Sequence, residues 1–167
     1  MKTKAIPILI LACMLLSGLF LAGCGSDPVQ EDLLNYLNEQ TPRLAAMENE
    51  VVEELDSVIG KNYSNDIETY QVIVDKVIPG YRDFMEALEA VKPATPEVVG
   101  LHEIYIDAVN KQFNAIVQIS AAIENQDTNL ISHANEKLSE GRKGIRTYEN
   151  ELQALAQKHN VVLQEGS

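Results

Sequence analysis

Cysteine is nearly missing from this chain of 167 residues: only Cys13 and Cys24 occur. Both fall in or at the end of one apolar run, so no thiol is left beyond residue 24 for a disulfide, a zinc site or catalysis. Histidine is scarce too, with three in all. The residues three before His102, His133 and His159 are Val99, Leu130 and Ala156, which excludes the Glu-x-x-His pairs of di-iron helix bundles. No Cys-x-x-Cys-His haem attachment sequence appears, and no G-x-S-x-G, phosphate loop or dinucleotide fingerprint. Basic charge is also short, with thirteen Lys and Arg against twenty-five Asp and Glu. A surface that acidic repels nucleic acid. These absences predict a protein that is not an enzyme, carries no cofactor or resident metal and binds no nucleic acid.

Long hydrophobic runs are missing except for one. Lys2 and Lys4 precede Ala5 to Ala22, which is apolar apart from Ser17. The basic start, apolar middle and small residues at the end have the form of a secretory signal peptide. The run ends Leu21-Ala22-Gly23-Cys24, then Gly25-Ser26-Asp27-Pro28. Leu-Ala-Gly-Cys resembles the lipobox of bacterial lipoproteins. That resemblance covers the first 24 residues. It implies cleavage before Cys24, a diacyl lipid on the Cys24 sulfur and, often, acylation of the new amino terminus. A thiol suits this chemistry because its thiolate is the nucleophile, and two or more acyl chains hold a protein to a bilayer where one does not. The implied location is the extracytoplasmic face of a membrane. With Gly25 rather than Asp after the cysteine, it is the outer membrane if the cell is Gram-negative. From Cys24 onward the formal charge is about −14.

The remaining chain is one domain's worth. Its expected parts are a signal peptide 1–23, a lipidated tether 24–27, a domain 28–160 and a tail 161–167. Apolar residues recur by threes and fours: Ile67, Tyr70, Val74, Val77, Tyr81, Phe84, Leu88 and Val91 are one such series, and Val98, Leu101, Tyr105, Ala108, Gln112, Ala115, Ile119 and Ala122 another. A third runs Ile131, Ala134, Leu138, Gly141, Ile145, Tyr148, Leu152, Leu155, and a rougher one Leu34, Leu37, Thr41, Leu44, Met47, Val51, Leu55, Val58. Such seams predict an all-α, up-down-up-down antiparallel four-helix bundle with kinked helices. The helices are expected at 28–59, 66–91, 96–125 and 128–159. Pro28 fits a first turn and Gly60 a stop. Asn65 with Glu68 reads as a capping box, Thr95 and Asp127 as N-caps, and Asn160 as a terminator.

The irregular positions are the candidate sites. Pro42 and Pro79-Gly80 interrupt helices, Gly141 and Gly144 weaken one, and Gln112 places an amide in a seam. Counting from the helix ends puts Pro79, Gly141, Gln112 and Ala46 at one level, with Tyr81, Thr41, Tyr105 and Tyr148 just below and Tyr36 and His102 lower still. Two readings stand: a kinked, close-packed waist, or a mid-bundle pocket for a small ligand or haem lined by Tyr81, Tyr105, Gln112, Tyr148 and His102. In the haem version, His102 and Met47 or Met85 hold the iron. A tether of three residues stands the bundle end-on, so Lys61, Asn62 and Tyr63 at the outer tip become the candidate contacts for another envelope protein. Arg142, Lys143 and Arg146 form a dense basic cluster, expected to pair with Glu140, Glu149 or a facing helix. The functional expectation is a membrane-anchored adaptor or binding module in the cell envelope, the alternative a carrier or sensor using the pocket.

Overall fold

The computed structural model describes residues 26–163. Cys24, the expected signal peptide and the last four residues lie outside that range. Among the described residues the chain is all-helical, with no strand. We label the four long helices α1 (28–56), α2 (66–90), α3 (Pro96–Asn125) and α4 (Thr128–Lys158). A short 3₁₀ turn, Gly60–Asn62, lies between the first two. It starts at Gly60 with φ of 58°, a left-handed conformation that glycine adopts without strain.

The helix ends follow their local chemistry. Asp27 caps α1, its Oδ1 accepting from Val29 and Gln30 N–H at 3.0 and 3.3 Å. Asn65 caps α2 through Glu68 N–H at 3.0 Å. The return half of the expected capping box is missing, because Glu68 accepts from the Ser64 hydroxyl instead. Asp127 caps α4 through Asn129 and Leu130 N–H. The two C-terminal stops share a geometry. Gln126 and Asn160 adopt φ of 53° and 56°, and the next residue's N–H reaches back to Ala122 O at 2.9 Å and Ala156 O at 2.8 Å. This left-handed closure satisfies carbonyls that a helix end leaves free.

Both prolines are accommodated in the same way. A π-helical turn covers Tyr36–Gln40 and another Ile73–Val77, each ending two residues before a proline, Pro42 or Pro79. Proline lacks an N–H and crowds the carbonyl four residues back. Widening the preceding turn relieves that crowding. Thr41 N–H then bonds Tyr36 O and Ile78 N–H bonds Ile73 O. Leu37 O, which Pro42 cannot serve, accepts from the Thr41 hydroxyl at 3.0 Å.

A π turn adds one residue to a helical turn, so everything before it rotates. Upstream of Val77 the expected seam was Ile67, Tyr70 and Val74. The buried residues are instead Thr69 and Ile73, while Ile67 is 74 % and Val74 36 % exposed. Upstream of Leu44 the expected Leu34 and Leu37 give way to fully buried Leu33 and Tyr36, with Leu34 at 40 % exposure. From the end of each π turn onward the expected seam holds, with Val77, Tyr81, Phe84 and Leu88 buried in α2 and Leu44, Val51 and Val58 in the first helix and its exit.

Specific contacts join the helix ends. Asp32 near the start of α1 accepts from Ala94 N–H, Thr95 N–H and the Thr95 hydroxyl just before α3, the last two at 2.7 Å. Thr95 was expected to cap α3 with its hydroxyl; it spends that hydroxyl on Asp32, and no side-chain cap bond forms. Thr69 in α2 donates to Val58 O after α1 at 3.1 Å. His159 O at the end of α4 accepts from Gln30 Nε2 at 2.8 Å. The core has two parts. One is built on Leu44, Val51, Ile73, Val77, Tyr81, Phe84 and Ile116. The other, around Leu33, Tyr36, Val98, Leu101 and Ala156, includes Val161, so the core reaches into the segment read as a tail.

Candidate functional site

Two of the tyrosines expected in the pocket, Tyr105 and Tyr148, do meet, beside Tyr36 and a buried histidine. His102 is buried near the start of α3, and its Nε2 lies 3.0 Å from Leu88 O at the end of α2. A carbonyl only accepts, so Nε2 carries the proton. Burial pushes the His102 pKa down, which keeps the ring neutral and leaves Nδ1 an acceptor. Tyr36 O–H therefore donates to Nδ1 at 3.1 Å, and Tyr148 O–H donates to Tyr36 at 3.4 Å. The result is a directed chain from α4 through α1 and α3 to α2: Tyr148 to Tyr36 to His102 to Leu88 O. Both His102 nitrogens are engaged in it, so neither is free for a haem iron.

A second contact borders the chain. Tyr105 stacks on Tyr148, ring centres 4.8 Å apart and planes 19° apart, and its hydroxyl donates to Glu48 Oε2 at 2.6 Å. Burial first, then the Glu48 carboxylate, raises the Tyr105 pKa; burial likewise raises those of Tyr36 and Tyr148. Tyr105, Tyr148, Glu48 and Glu149 edge a groove of about 220 Å³ between α1 and α4, its floor formed by Leu44, Ala45 and Ile145. Tyr81 stands apart on the α2 side. It packs on Phe84 and Phe113, and burial, with Glu48 adding to it, pushes its pKa up to about 12.

Gln112 does not join the tyrosines. Its side chain covers Gly141, where an added Cβ would lie 2.5 Å from Gln112 Cγ and 3.2 Å from Ala108 O. Gly144 abuts Ala108 in the same way, at 2.7 Å from its Cβ. The α3–α4 contact is thus closed at this level. The level itself differs from the count along the helices: Gly80 meets Val51, not Ala46, which is exposed.

The tip residues Lys61, Asn62 and Tyr63 are exposed. Asn62 Nδ2 donates to Asp56 O and the Tyr63 hydroxyl to Asp66, both at 2.8 Å, which orders the turn. Arg142, Lys143 and Arg146 are exposed, and the ion pairs among the described residues do not include them, contrary to the pairing expected for them. No group of three or more acidic, histidine or cysteine side chains suited to a metal occurs among the described residues.

Sequence reasoning missed the opposite end. Asp27, three residues after Cys24, accepts from His159 Nδ1 at 2.7 Å. That bond holds the Asp27 pKa below its ordinary value. Asp27 is therefore fastened to both the start of α1 and the end of α4. The pairing joins residues 132 apart in the chain, and no local pattern marks it. Glu48 was equally hidden, one carboxylate in the run Glu48 to Asp56.

A family model described as EMYY-motif containing lipoprotein matches residues 2–164. The chain belongs to this family. This lipoprotein is thereby a lipid-anchored membrane protein of bacterial type, in agreement with the resemblance at Leu21–Cys24. None of its helices, among the described residues, is long and apolar enough to cross a membrane. The letters Glu-Met-Tyr-Tyr do not occur in it. Glu-x-Tyr occurs twice, at Glu68-Thr69-Tyr70 and at Glu103-Ile104-Tyr105, the second carrying the tyrosine that meets Glu48. No curated protein and no solved structure matches the chain.

Proposed function

We propose that this lipoprotein is a non-enzymatic adaptor or binding module of the cell envelope. The signal peptide 1–23 is removed, Cys24 carries the lipid, and the body stands on the extracytoplasmic face, on the outer membrane if the cell is Gram-negative. The body is an up-down-up-down antiparallel four-helix bundle, a reading supported by the end-to-end contacts of Asp32 with Thr95, Thr69 with Val58 and Gln30 with His159. The observation that carries the proposal is the tie between Asp27 and His159. It brings the first residues after the lipid against the end of α4, so the helices rise from one anchored end. At about 1.5 Å per residue, α1 lifts the 61–63 turn roughly 40 Å from that end. Lys61, Asn62 and Tyr63 are then the contacts for a partner in the envelope.

The test has two arms. Mass spectrometry of the protein from native membranes should find an amino-terminal peptide that begins at Cys24 and bears acyl chains, and Cys24→Ser should release the protein from the membrane. A photo-crosslinker at Tyr63 should capture an envelope protein in cells, and one at Glu89 should not. An unlipidated terminus sinks the address; equal capture from both sites, or from neither, sinks the tip as the contact.

One observation favours a second reading, a small-ligand carrier or sensor. Tyr105 and Tyr148 border an open groove beside two carboxylates, a setting for a small molecule with a cationic group. The chain has no tryptophan, and two of its six tyrosines border that groove, so tyrosine fluorescence responds to a ligand there. Titration with an organic amine such as putrescine should change the emission of the wild type and not of Glu48→Gln. No change in either chain removes this reading.

A further inference from the structure

The outer face of α4 differs from the rest of this acidic molecule. Thr128, Ser132, Asn135, Ser139, Arg142, Lys143, Arg146, Asn150, Gln153 and Gln157 recur every three or four residues, all are exposed, and none is a carboxylate. Positions three and four apart share one side of a helix, so they form a continuous stripe. It is uncharged at both ends and basic in the middle. Glu136, Glu140, Glu149 and Glu151 lie beside it on the same helix. The three cations take part in none of the ion pairs among the described residues.

The complement of this stripe is on the same molecule. Glu50 and Glu53 are exposed on α1 with Asn49, Val52 and Asp56 around them, and neither is in an ion pair among the described residues. Contacts across the helices set the relative heights. Gly141 meets Gln112, Phe113 packs on Tyr81, and Gly80 meets Val51. Glu50 and Glu53 therefore lie within about one helical turn of the height of Arg142 and Ser139. Within one chain Glu50 lines the groove between α1 and α2, on the other flank of α1 from the groove that α1 shares with α4, so it does not reach the stripe of its own chain. Two copies anchored at the same end to one membrane present them to each other at matching height. At physiological salt the screening length is about 8 Å, which weakens the repulsion between the net charges of two copies more than the attraction between charges in contact. Confinement to a surface also raises the effective concentration.

We infer that neighbouring copies of this chain associate side by side on the membrane, the α4 stripe of one against the Glu50–Asp56 face of α1 of the next. The inference rests on the anchored, upright reading above. The contact is between unlike faces, so it repeats from one copy to the next, and the rotation between copies decides whether it closes or runs on into rows.

The test supplies its own anchor. A chain with Cys24→Ser and an amino-terminal histidine tag is held on neutral vesicles bearing nickel-chelating lipid, so natural lipidation plays no part in the outcome. The body then holds no cysteine except an introduced one. Mixed Val52→Cys and Ser139→Cys chains should form a disulfide-linked dimer on oxidation, and each variant alone should not. Adding Arg142→Glu, Lys143→Glu and Arg146→Glu to the Ser139→Cys chain should cut the yield about tenfold. Placing Glu50→Lys and Glu53→Lys on the Val52→Cys chain should restore it. Yields no higher than in the single-variant controls, or unmoved by charge reversal, overturn the inference. So does a stripe that binds polyphosphate and loses it on charge reversal without any crosslink, which would mark it as a polyanion surface. Loss of native acylation overturns the envelope reading and leaves the crosslinks unaffected.

Discussion

The two halves of the domain meet the same problem, burying a long seam, with different devices. In α1 and α2 each helix contains a proline, and a π turn two residues earlier absorbs it. In α3 and α4 no proline falls beyond the first turn, the helices run 30 and 31 residues without interruption, and Gly141 and Gly144 bring α4 onto Gln112 and Ala108. The first device costs a rotation of the seam by one residue. The second costs helix propensity, about 1 kcal/mol per glycine, and gains a close backbone approach. One half therefore holds a spare residue in each helix, and the other holds none.

Removing a residue from each half should break that symmetry most visibly. Deleting exposed Asp75 from the second π turn converts it to ordinary α-helix and leaves Thr69 and Ile73 facing inward. Its expected cost is below about 1.5 kcal/mol. Deleting exposed Lys143 from α4 rotates Ala134, Leu138 and Gly141 out of the core, and the chain should not fold cooperatively. Urea unfolding followed by circular dichroism separates the two; equal losses would mean the π turns carry no slack.

The glycines sharpen the contrast at smaller scale. Gly141→Ala places a Cβ against backbone atoms at 3.1 and 3.2 Å, which have little room to yield. Overpacking should cost about 2 kcal/mol net. Gly80→Ala meets only Val51 Cγ2, at 2.8 Å, a methyl that can shift, and the gain in helix propensity should bring the net change close to zero. Thermal melts of the two variants check this.

Asp32 ties one half to the other. Burial raises its pKa, but the Thr95 hydroxyl and the Ala94 and Thr95 N–H groups outweigh that and hold it below the usual carboxylate value. A depressed folded pKa means that this stabilisation is complete above about pH 4 and is lost as pH falls through the folded value. Asp32→Asn should cost about 1.5 kcal/mol at pH 7 and flatten the acid limb of the stability profile below pH 4. The smallest effect is expected at Lys76–Glu54, an exposed pair linking α2 to α1 at 3.0 Å. Lys76→Ala should change stability by less than about 0.5 kcal/mol, and less again in high salt.

Much of this was readable in advance where the physics is local. Asn65 and Asp127 are legible as caps because such side chains reach backbone N–H groups within three residues, and the seams beyond the two π turns follow from spacing alone. The seams upstream lie one residue away from that spacing. A proline announces a defect, but whether the helix bends, breaks or widens depends on what it packs against. The convergence of Tyr105 and Tyr148 was anticipated by level, while Tyr81 and Gln112 were grouped with them by counting helical rises that the π turns and the Gly80–Val51 contact displace. Thr95 looks like a cap in the sequence because its partner Asp32, 63 residues away, leaves no trace in the neighbouring letters.

By itself, then, the sequence determined the lipoprotein class, the helical class and most helix ends, since each depends on residues close together in the chain: a lipobox-like run, an apolar repeat, a side chain within reach of a free N–H. Only the tertiary structure decided which atoms met across helices. The directed chain from Tyr148 to Leu88 O, the closure at Gly141 and the clasp of Asp27 by His159 depend on the rotation and height of four rods. Those are set by packing the whole core at once.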